Sequence, residues 1–252
     1  MVRSAITAAI IARDEARHLN ACLAALSWAD DRLVVLDDRT IDRSAEIARK
    51  RGARVLVQTF TSFPAQRNVA LSQVTTPWVL FVDADERVTP SLANEVRRVI
   101  ERDEPDAPVG YWIPRRNFIW GGWIRHGGWF PDRQLRLLKV KAARYDELRD
   151  VHELVILDGS SDVLGEPLIH YNYEHIAQFI TKQRQYVALE AKRLARGGQR
   201  AKLHNFVLQP YRELRRRLIE LEGYKDGWRG FFLAALLSWY TGVTYVKLSQ
   251  EK

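Results

Sequence analysis

Residues 78–86 read WVLFVDADE and predict the centre of the fold. Five apolar residues run into three acidic residues that are separated by one alanine, which is typical of a buried parallel strand ending in a charged turn. In an open α/β sheet, ligands bind beyond the carboxyl ends of the strands. Asp83 and Asp85 therefore stand where a hard cation and a phosphorylated ligand would be held, although a solvated acidic turn explains the same pattern.

Segments with strand and helix patterns alternate four times in the first hundred residues. The predicted strands cover residues 5–12, 33–36, 54–57 and 78–82, and the predicted helices cover 16–26, 42–51, 64–72 and 90–102. Such alternation predicts an α/β fold in which helices cover both faces of a mostly parallel sheet.

The pattern changes after residue 108. Apolar segments at 111–114, 134–138 and 154–156 predict a mixed sheet whose loops are rich in Trp, Gly and Arg. From residue 176 the chain reads as helix, with predicted helices at 176–196, 203–221 and 227–246. We therefore expect a C-terminal helical extension.

Composition limits the class of protein and its compartment. A chain of 252 residues with 46% hydrophobic content suffices for one large domain, or for one domain and an appendage. Cys22 is the single cysteine, which excludes an internal disulfide framework and favours a reducing compartment. The apolar N-terminal run meets charges at residues 13–15, so no signal peptide is predicted, and we expect a cytoplasmic protein.

The net charge of +8 is concentrated near the C-terminus. Residues 181–229 hold thirteen Lys and Arg against five Asp and Glu, so the remainder of the chain is balanced. A basic block of this kind suits nucleic acid, anionic lipid or a phosphorylated acceptor, and it is also compatible with an ordinary solvated helix face.

A second acidic group follows the second predicted strand. Asp37, Asp38 and Asp42 lie there, as Asp83 and Asp85 lie after the fourth strand. Because the carboxyl ends of parallel strands meet at one edge of a sheet, the two groups jointly favour a pocket for a nucleotide and a metal ion. Carboxylate oxygens suit Mg²⁺ or Mn²⁺, with diphosphate and water completing the shell.

These motifs together resemble family 2 glycosyltransferases with the GT-A fold. The resemblance rests on RDE at 13–15, VVLDDRTIDRS at 34–44, QRN at 66–68 and FVDADE at 81–86, in that order. The second half adds FPDRQLRL at 130–137, VHE at 151–153, HY at 170–171 and DGW at 226–228. Those segments are similar to the lipopolysaccharide inner-core β-1,4-glucosyltransferase subgroup.

The resemblance implies a division of the chain into domains and roles for the residues in the quoted motifs. Residues 1–175 would be the GT-A catalytic domain, with a nucleotide-binding half (1–108) and an acceptor half (109–175), and 176–252 would be a basic, membrane-associating extension. Arg39, Thr40 and Ile41 replace the family's usual Ser-Thr pair before Asp42, so no side-chain role is assigned between Asp38 and Asp42.

Five residues are implied to bind the nucleotide-sugar. Asp37 would face the nucleobase, Glu15 and Arg67 would support the nucleotide, Asp83 would contact the ribose, and Ala84 lies between the two aspartates. Asp85 would hold the divalent cation that bridges the diphosphate.

An inverting sugar transfer also needs a carboxylate that takes a proton from the acceptor hydroxyl. Glu153 is the preferred base because it matches the family position, and Asp150 and Asp132 are the alternatives. His152 would complete the metal shell or touch the diphosphate, unless it is a structural histidine.

Aromatic residues beside glycines at 118–123 suggest a loop that stacks on sugar rings or closes as a lid. The candidates are Trp120, Trp123 and Trp129, with Arg133 and Arg136 shaping the acceptor site. The same tryptophans would equally fill a core beneath an irregular segment.

The C-terminal helix suggests membrane attachment. Arg215, Arg216 and Arg217 precede a stretch at 230–246 without charge, which Trp228 and Trp239 flank or occupy. We expect a helix on the inner membrane surface, with cations at the headgroups and aromatics at the boundary. A spanning helix, a buried helix and an oligomer contact are the alternatives.

The predicted function is metal-dependent, inverting transfer of a hexose, glucose from UDP-glucose, to a membrane-borne saccharide such as the lipopolysaccharide inner core. Phosphoryl transfer by a haloacid-dehalogenase-like fold is one alternative, but it expects Thr or Val where Arg87 stands. A basic nucleic-acid-binding protein is another, but no helix-turn-helix, zinc or aromatic RNA-binding signature occurs. We therefore expect no nucleic-acid partner.

Overall fold

The computed structural model describes residues 4–102, 106–147 and 154–251. The strands are β1 (Ile6–Ala12), β2 (Asp31–Asp37), β3 (Arg54–Gln58), β4 (Trp78–Phe81), β5 (Glu86–Arg87), β6 (Gly110–Ile119), β7 (Gly122–Trp123), β8 (Asp132–Lys139), β9 (Ala143–Tyr145), β10 (Val155–Leu157), β11 (Ser161–Val163) and β12 (Leu168–Tyr173). The helices are α1 (Ala16–Ala25), α2 (Ser44–Lys50), α3 (Phe63–Gln73), α4 (Pro90–Ile100), α5 (Ile176–Arg196), α6 (Asn205–Arg215) and α7 (Gly227–Leu248).

Ten strands form one mixed sheet within the described ranges. Its order is β3-β2-β1-β4-β8-β6-β12-β5, with β7 and β11 also paired to β6. Strand β1 lies between β2 and β4 and is parallel to both, and β2 is parallel to β3. Beyond β4 the sheet turns antiparallel at β8. The fold is therefore GT-A, as the sequence predicts, with a parallel first half and a mixed second half.

Strands β1, β2 and β4 are largely buried on both faces, which explains their unbroken apolar runs, whereas the edge strand β3 is partly exposed. Along β4, Trp78 and Leu80 pack in the hydrophobic cluster that contains α1 and α4 residues. Val79 and Phe81 point to the opposite cluster, which α3 covers through Ala70 and Leu71. Period-two alternation thus divides one apolar run between two cores.

Several short strands were not predicted. Strands β5, β7, β9, β11 and β12 have two to six residues each, and their side chains range from buried to exposed without a clean alternation. Hydrophobic periodicity is visible only over a longer stretch of sequence. It therefore misses short strands, which are recognised only by their pairing with neighbouring strands.

The chain divides into two compact units. The first comprises residues up to 115 together with 133–170, and the second comprises 116–132 together with the chain from 171 onward. The sequence-based boundary at 175 lies close to the last of these junctions, whereas segment 116–132, expected in the acceptor half, groups with helices α5 to α7.

Within the second unit, α7 packs against α5 and α6. The predicted helix at 203–221 is observed as α6 followed by a π-helical turn at Arg216–Glu220, and Pro210 lies inside α6. Among the residues described, one helical stretch, Gly223–Leu248, is long and apolar enough to cross a membrane by length and composition, and only 28% of its apolar window is buried.

Candidate active site

The turn after β4 places Asp83 and Asp85 at the carboxyl edge of the parallel strands. The Val82 amide donates to the Ala9 carbonyl (3.0 Å), which keeps the turn beside β1. The Asp83 amide donates to Glu86 Oε2 (2.9 Å), and the Glu86 amide donates to the Asp83 carbonyl (2.9 Å). This reciprocal pair closes the turn, and Ala84 at its centre is buried.

Asp83 is held by two buried arginines. Arg67 Nη2 lies 3.2 Å and Arg136 Nη1 3.0 Å from Asp83 Oδ1, and Arg136 Nη2 also contacts Oδ2. Burial alone would raise the pKa of Asp83, but the charges of Arg136 and Arg67 outweigh it and hold that pKa well below its usual range. Asp83 is therefore a charged, internally paired carboxylate.

Glu86 extends this network into the core. Its side chain is 0% exposed, and its Oε1 lies 3.3 Å from both Arg115 Nη1 and Arg136 Nη2. Arg136, expected to shape the acceptor site, is thus placed by the structure between two carboxylates in the first unit. Arg133, expected beside it, is exposed.

Asp85 has a different neighbour. Its Oδ2 lies 3.4 Å from Nε2 of the buried His170. The Asp85 carboxylate suits Mn²⁺ or Mg²⁺, because such sites often take one or two carboxylates and leave the rest to diphosphate and water, whereas the imidazole nitrogen is a ligand that transition metals prefer. No group of three metal-ligating side chains occurs in the part of the chain that the structure describes.

A cavity of about 350 Å³ opens at the carboxyl ends of β1 and β2. Its lining residues are Ile11, Ala12, Arg13, Glu15, Asp37, Arg39, Phe60, Phe63 and Gln66. The Phe60 and Phe63 rings meet edge to face with centroids 5.0 Å apart and give the cavity an aromatic wall, and Arg39 Cζ lies 6.0 Å from the centroid of the Phe60 ring. Of the residues expected to bind the nucleotide, Glu15 and Asp37 line this cavity, whereas Arg67, Asp83 and Ala84 do not.

Asp37 is buried, and its partner Arg39 is exposed. Arg39 Nε lies 2.9 Å from Asp37 Oδ1, and Arg39 Nη2 lies 2.7 Å from Oδ2. These hydrogen bonds hold the pKa of Asp37 well below its usual range and raise the pKa of Arg39. Arg39, which has no sequence-assigned role, therefore forms one wall of the cavity, while Ile41 is 91% exposed.

Short hydrogen bonds tie the two loops around the cavity together. Asp14 Oδ1 accepts from the Ile41 amide (2.8 Å), and Asp42 Oδ2 accepts from the Ala16 amide (2.8 Å). Ser44 Oγ accepts from the Glu15 amide (2.9 Å). The loops after β1 and β2 are therefore fixed relative to each other by side chains of the sequence motifs.

A family model for glycosyl transferase family 2 matches residues 7–152. The chain belongs to this family. The glycosyltransferase is 24% identical to the lipopolysaccharide core biosynthesis glycosyltransferase LpsC of Rhizobium meliloti, over 98% of this chain and 92% of that protein. It is 27% identical to an uncharacterized glycosyltransferase of Rickettsia felis, over 81% of this chain and 74% of the other. Membership of this family excludes the phosphoryl-transfer alternative. The similarity to LpsC confirms the resemblance to lipopolysaccharide core glycosyltransferases.

Solved structures with low sequence identity also resemble this glycosyltransferase. S. aureus TarS 1–349 in complex with UDP-GlcNAc aligns with a TM-score of 0.49 and 12% identity, covering 98% of this chain and 89% of that one. Glucosyl-3-phosphoglycerate synthase from Mycobacterium tuberculosis, in complex with Mn²⁺, UDP and phosphoglyceric acid, aligns with a TM-score of 0.47 and 13% identity, covering 73% of this chain and 76% of that one.

Two candidate bases and one candidate metal ligand fall outside the described part of the chain. Glu153, Asp150 and His152 lie outside the described residues. Asp132, the third candidate base, lies in the second unit, where its Oδ2 accepts from Asn117 Nδ2 (3.1 Å).

The tryptophans of the expected lid occupy different environments in the second unit. Trp120 and Trp129 pack against the hydrophobic cluster that contains Ile119, Phe179 and Leu233. The Trp120 ring stacks on Trp228 with centroids 6.2 Å apart and an angle of 8°. Trp123 lies instead beside Phe130, whose ring meets it edge to face at 5.8 Å.

The residues expected at the membrane all lie in the second unit, but they differ in exposure. Trp239 is 70% exposed, and Arg215 and Arg216 are exposed near Glu220 and Glu213. Arg217 is half-buried, contacts Glu213, and donates to the Gly127 carbonyl (2.8 Å), so it has a structural contact.

Besides Arg39, four further residues of the first unit's site received no role from the sequence. Phe60 and Phe63 form the aromatic wall, Arg115 contacts Glu86, and His170 faces Asp85. Only His170 carried a signal, because it belongs to the second-half resemblance at 170–171.

Proposed function

We propose that this glycosyltransferase moves a hexose from a nucleotide-sugar to a saccharide acceptor with inversion at the anomeric carbon. The observation that carries the proposal is the placement of the Asp37 cavity and of the Asp83–Asp85 turn at one edge of the parallel sheet, separated by β1 alone. Adjacent strands lie about 4.8 Å apart, so the two sites are roughly 10 Å apart, a span that a nucleoside diphosphate covers.

The cavity is the proposed nucleobase site. Its aromatic wall supplies a stacking surface, and Asp37 supplies an ionised acceptor for a base N–H. Uracil has one such N–H and guanine has others, so this contact alone does not select the base; UDP-sugars, UDP-glucose in particular, are the donors we propose. Arg39 would leave Asp37 or swing aside when the base enters, because its side chain is exposed.

Asp85 and His170 are the proposed protein ligands of a divalent cation, and His152 stays a further candidate. When bound, the cation acts as a Lewis acid that neutralises charge on the departing diphosphate. Asp83, fixed by Arg67 and Arg136, accepts hydrogen bonds from ribose hydroxyls at its exposed edge.

Glu153 is the proposed base, with Asp150 and Asp132 as alternatives. The base removes the proton from the acceptor hydroxyl as that oxygen forms a bond to the anomeric carbon. The bond between the anomeric carbon and the diphosphate oxygen breaks on the opposite side of the sugar, and the nucleoside diphosphate leaves.

The similarity to LpsC supports a lipid-linked saccharide, such as the lipopolysaccharide inner core, as the acceptor. We place the enzyme at the inner face of the cytoplasmic membrane, with the exposed Trp239 and Arg215 at the lipid surface. A Trp239→Gln variant should float less with anionic liposomes, whereas Trp112→Gln, a half-exposed control on β6, should float as the original protein does. Equal flotation of both variants would remove the membrane assignment.

A donor screen tests the enzymatic proposal. Thermal unfolding is measured with UDP, GDP, their sugars and an oligonucleotide, with and without Mn²⁺. We expect the unfolding temperature to rise with a uridine nucleotide, and to rise further with Mn²⁺, because ligand bound only to the folded state stabilises it. Stabilisation by the oligonucleotide alone would overturn the proposal.

A further inference from the structure

The hairpin of β6 and β7 carries two arginines on one face. Phe118 pairs with Trp123 in the ladder, and the Ile124 amide continues the same register by donating to the Asn117 carbonyl (3.0 Å). The next pair in this register is Arg116 and Arg125. Since residues two apart share a face of a strand, both arginines lie on the face of Trp123.

Both guanidinium groups pack on the ring of Trp123. The Cζ atom of Arg116 lies 4.7 Å and that of Arg125 4.2 Å from the ring centroid. Each contact is a favourable cation–π interaction. Two like charges that face each other across a strand pair are nevertheless unfavourable, so an anion bound beside them would relieve the repulsion.

No carboxylate within the described ranges supplies that anion. Neither guanidinium forms an ion pair with a described residue. In addition, the Nε atom of Arg116 and the Nε1 atom of Trp123 are buried and have no hydrogen-bond partner in the same part of the chain. Buried donors without acceptors cost free energy, and a bound anion is one partner that would satisfy them.

The hairpin that carries these groups is anchored at both ends. Asp226 accepts from the Arg125 amide (3.1 Å) and from the His126 amide (2.7 Å), so its carboxylate is occupied by backbone donors. At the turn, Trp120 and Gly121 have φ of 48° and 75°, a two-residue turn that normally avoids bulky residues. The stacking of Trp120 on Trp228 offsets this strain. The two guanidiniums are therefore presented on a fixed frame.

We propose that Arg116, Trp123 and Arg125 bind an anionic group, a carboxylate or a phosphate, carried by the acceptor saccharide. Guanidinium groups match the paired oxygens of both anions. The indole N–H adds a third donor, and Phe130 beside it adds an apolar surface for the sugar ring. This inference rests on the proposed function, because it names the chemical class of the acceptor.

Calorimetric titration tests the site without turnover. The probes are glucose 6-phosphate, glucuronate and glucose at equal ionic strength, with UDP present at saturation to fill the donor site. We expect at least one anionic sugar to bind more tightly than glucose, and the stronger of the two identifies phosphate or carboxylate as the group recognised. Equal affinity for all three probes would overturn the proposal.

Matched variants assign the binding to these residues. Arg116→Gln and Arg125→Gln should each weaken binding of the preferred anionic sugar about tenfold, the effect of one charged hydrogen bond. Trp123→Phe keeps a smaller aromatic ring beneath both guanidinium groups and removes the indole N–H, so it should weaken binding less. Arg184→Gln removes an exposed charge from α5 and should bind as the original protein does. Unchanged binding by Arg116→Gln and Arg125→Gln would contradict the proposal.

Turnover separates this proposal from the function on which it rests. If no nucleotide-sugar is consumed but binding of the anionic sugar still depends on both arginines, the proposed function fails and this site stands. If transfer occurs and the double variant keeps the same kcat/KM for an anionic acceptor, the site fails and the proposed function stands.

Discussion

The two acidic strand ends of the first unit look alike in sequence and differ in structure. After β2, the buried Asp37 pairs with Arg39, whose side chain is 53% exposed. After β4, Asp83 pairs with Arg67 and Arg136, whose side chains are only 5% and 7% exposed. One carboxylate thus has a partner that solvent can replace, and the other has partners held by the core.

This difference indicates which end exchanges ligands by moving a side chain. An exposed arginine such as Arg39 loses little when it leaves its carboxylate, because water solvates the freed guanidinium and Arg13 Nη1 stays 3.8 Å from Asp37 Oδ2. A buried arginine cannot leave without stranding a charge in the core. The β2 end is therefore suited to open for a base, whereas the β4 end is suited to hold Asp85 and Asp83 in place.

Removing Arg136 should have the largest effect. Arg136→Met strands the charges of Asp83 and of the fully buried Glu86. We expect the free energy of unfolding in urea to fall by about 3–5 kcal/mol. The control Arg39→Met removes the exposed partner at the β2 end and should change stability little. Equal losses in the two variants would break the comparison.

Asp85→Ala should come next, with an effect on turnover and not on stability. If Asp85 holds the cation with His170, the rate of metal-dependent transfer should fall by about 100-fold or more, because a Lewis acid supplies several kcal/mol to the transition state. The unfolding temperature should stay close to that of the original protein. Full activity, with the same dependence on Mn²⁺ and the same inhibition by a chelator, would show that the site is wrongly assigned.

Asp37→Asn should weaken donor binding about tenfold, the loss of one charge-assisted hydrogen bond. Calorimetric titration with UDP measures the change. Asp31→Asn, at the opposite end of β2, serves as the control and should leave UDP affinity unchanged. If both variants bind UDP equally well, Asp37 does not face the base.

The smallest effect should be that of Asp83→Asn on the pH dependence of the free energy of unfolding. The pKa of Asp83 is lowered in the folded state, so its stabilising contribution is complete above the unfolded pKa, about 3.9, and is lost as the pH falls further. Asp83→Asn removes this contribution, so the free energy of unfolding should depend less steeply on pH between 5 and 3. Urea titrations across that range measure the slope. A slope equal to that of the original protein would mean that the arginines do not set this pKa.

The sequence was informative wherever a local pattern reflects a buried surface. The apolar run of β4 predicts a central strand because both of its faces meet a core, and the order of strands and helices predicts the parallel half. Asp37 was singled out because it follows a strand, whereas Glu15 was named through the family resemblance; both line the cavity. Thr89 caps α4 through the Leu92 amide (3.1 Å), where a Thr-Pro pair predicts a helix start.

Other features depend on residues that are distant in the chain. The sequence does not tell that Arg136 lies between Asp83 and Glu86, since some fifty residues separate them. Nor does it tell that Phe60 and Phe63 line a cavity or that His170 faces Asp85. The hydrophobic periodicity of a helix or strand shows on which of its faces a residue lies. Which residues of two different elements contact each other depends on tertiary packing.

The sequence by itself determined the family, the parallel half of the sheet and the strand ends where carboxylates would stand, because short-range periodicity and ordered motifs encode them. The tertiary structure alone decided which carboxylate is paired in the core and which faces a cavity, and it brought Arg116 and Arg125 onto one tryptophan. Those outcomes depend on burial and on cross-strand register, and both arise only when distant segments meet.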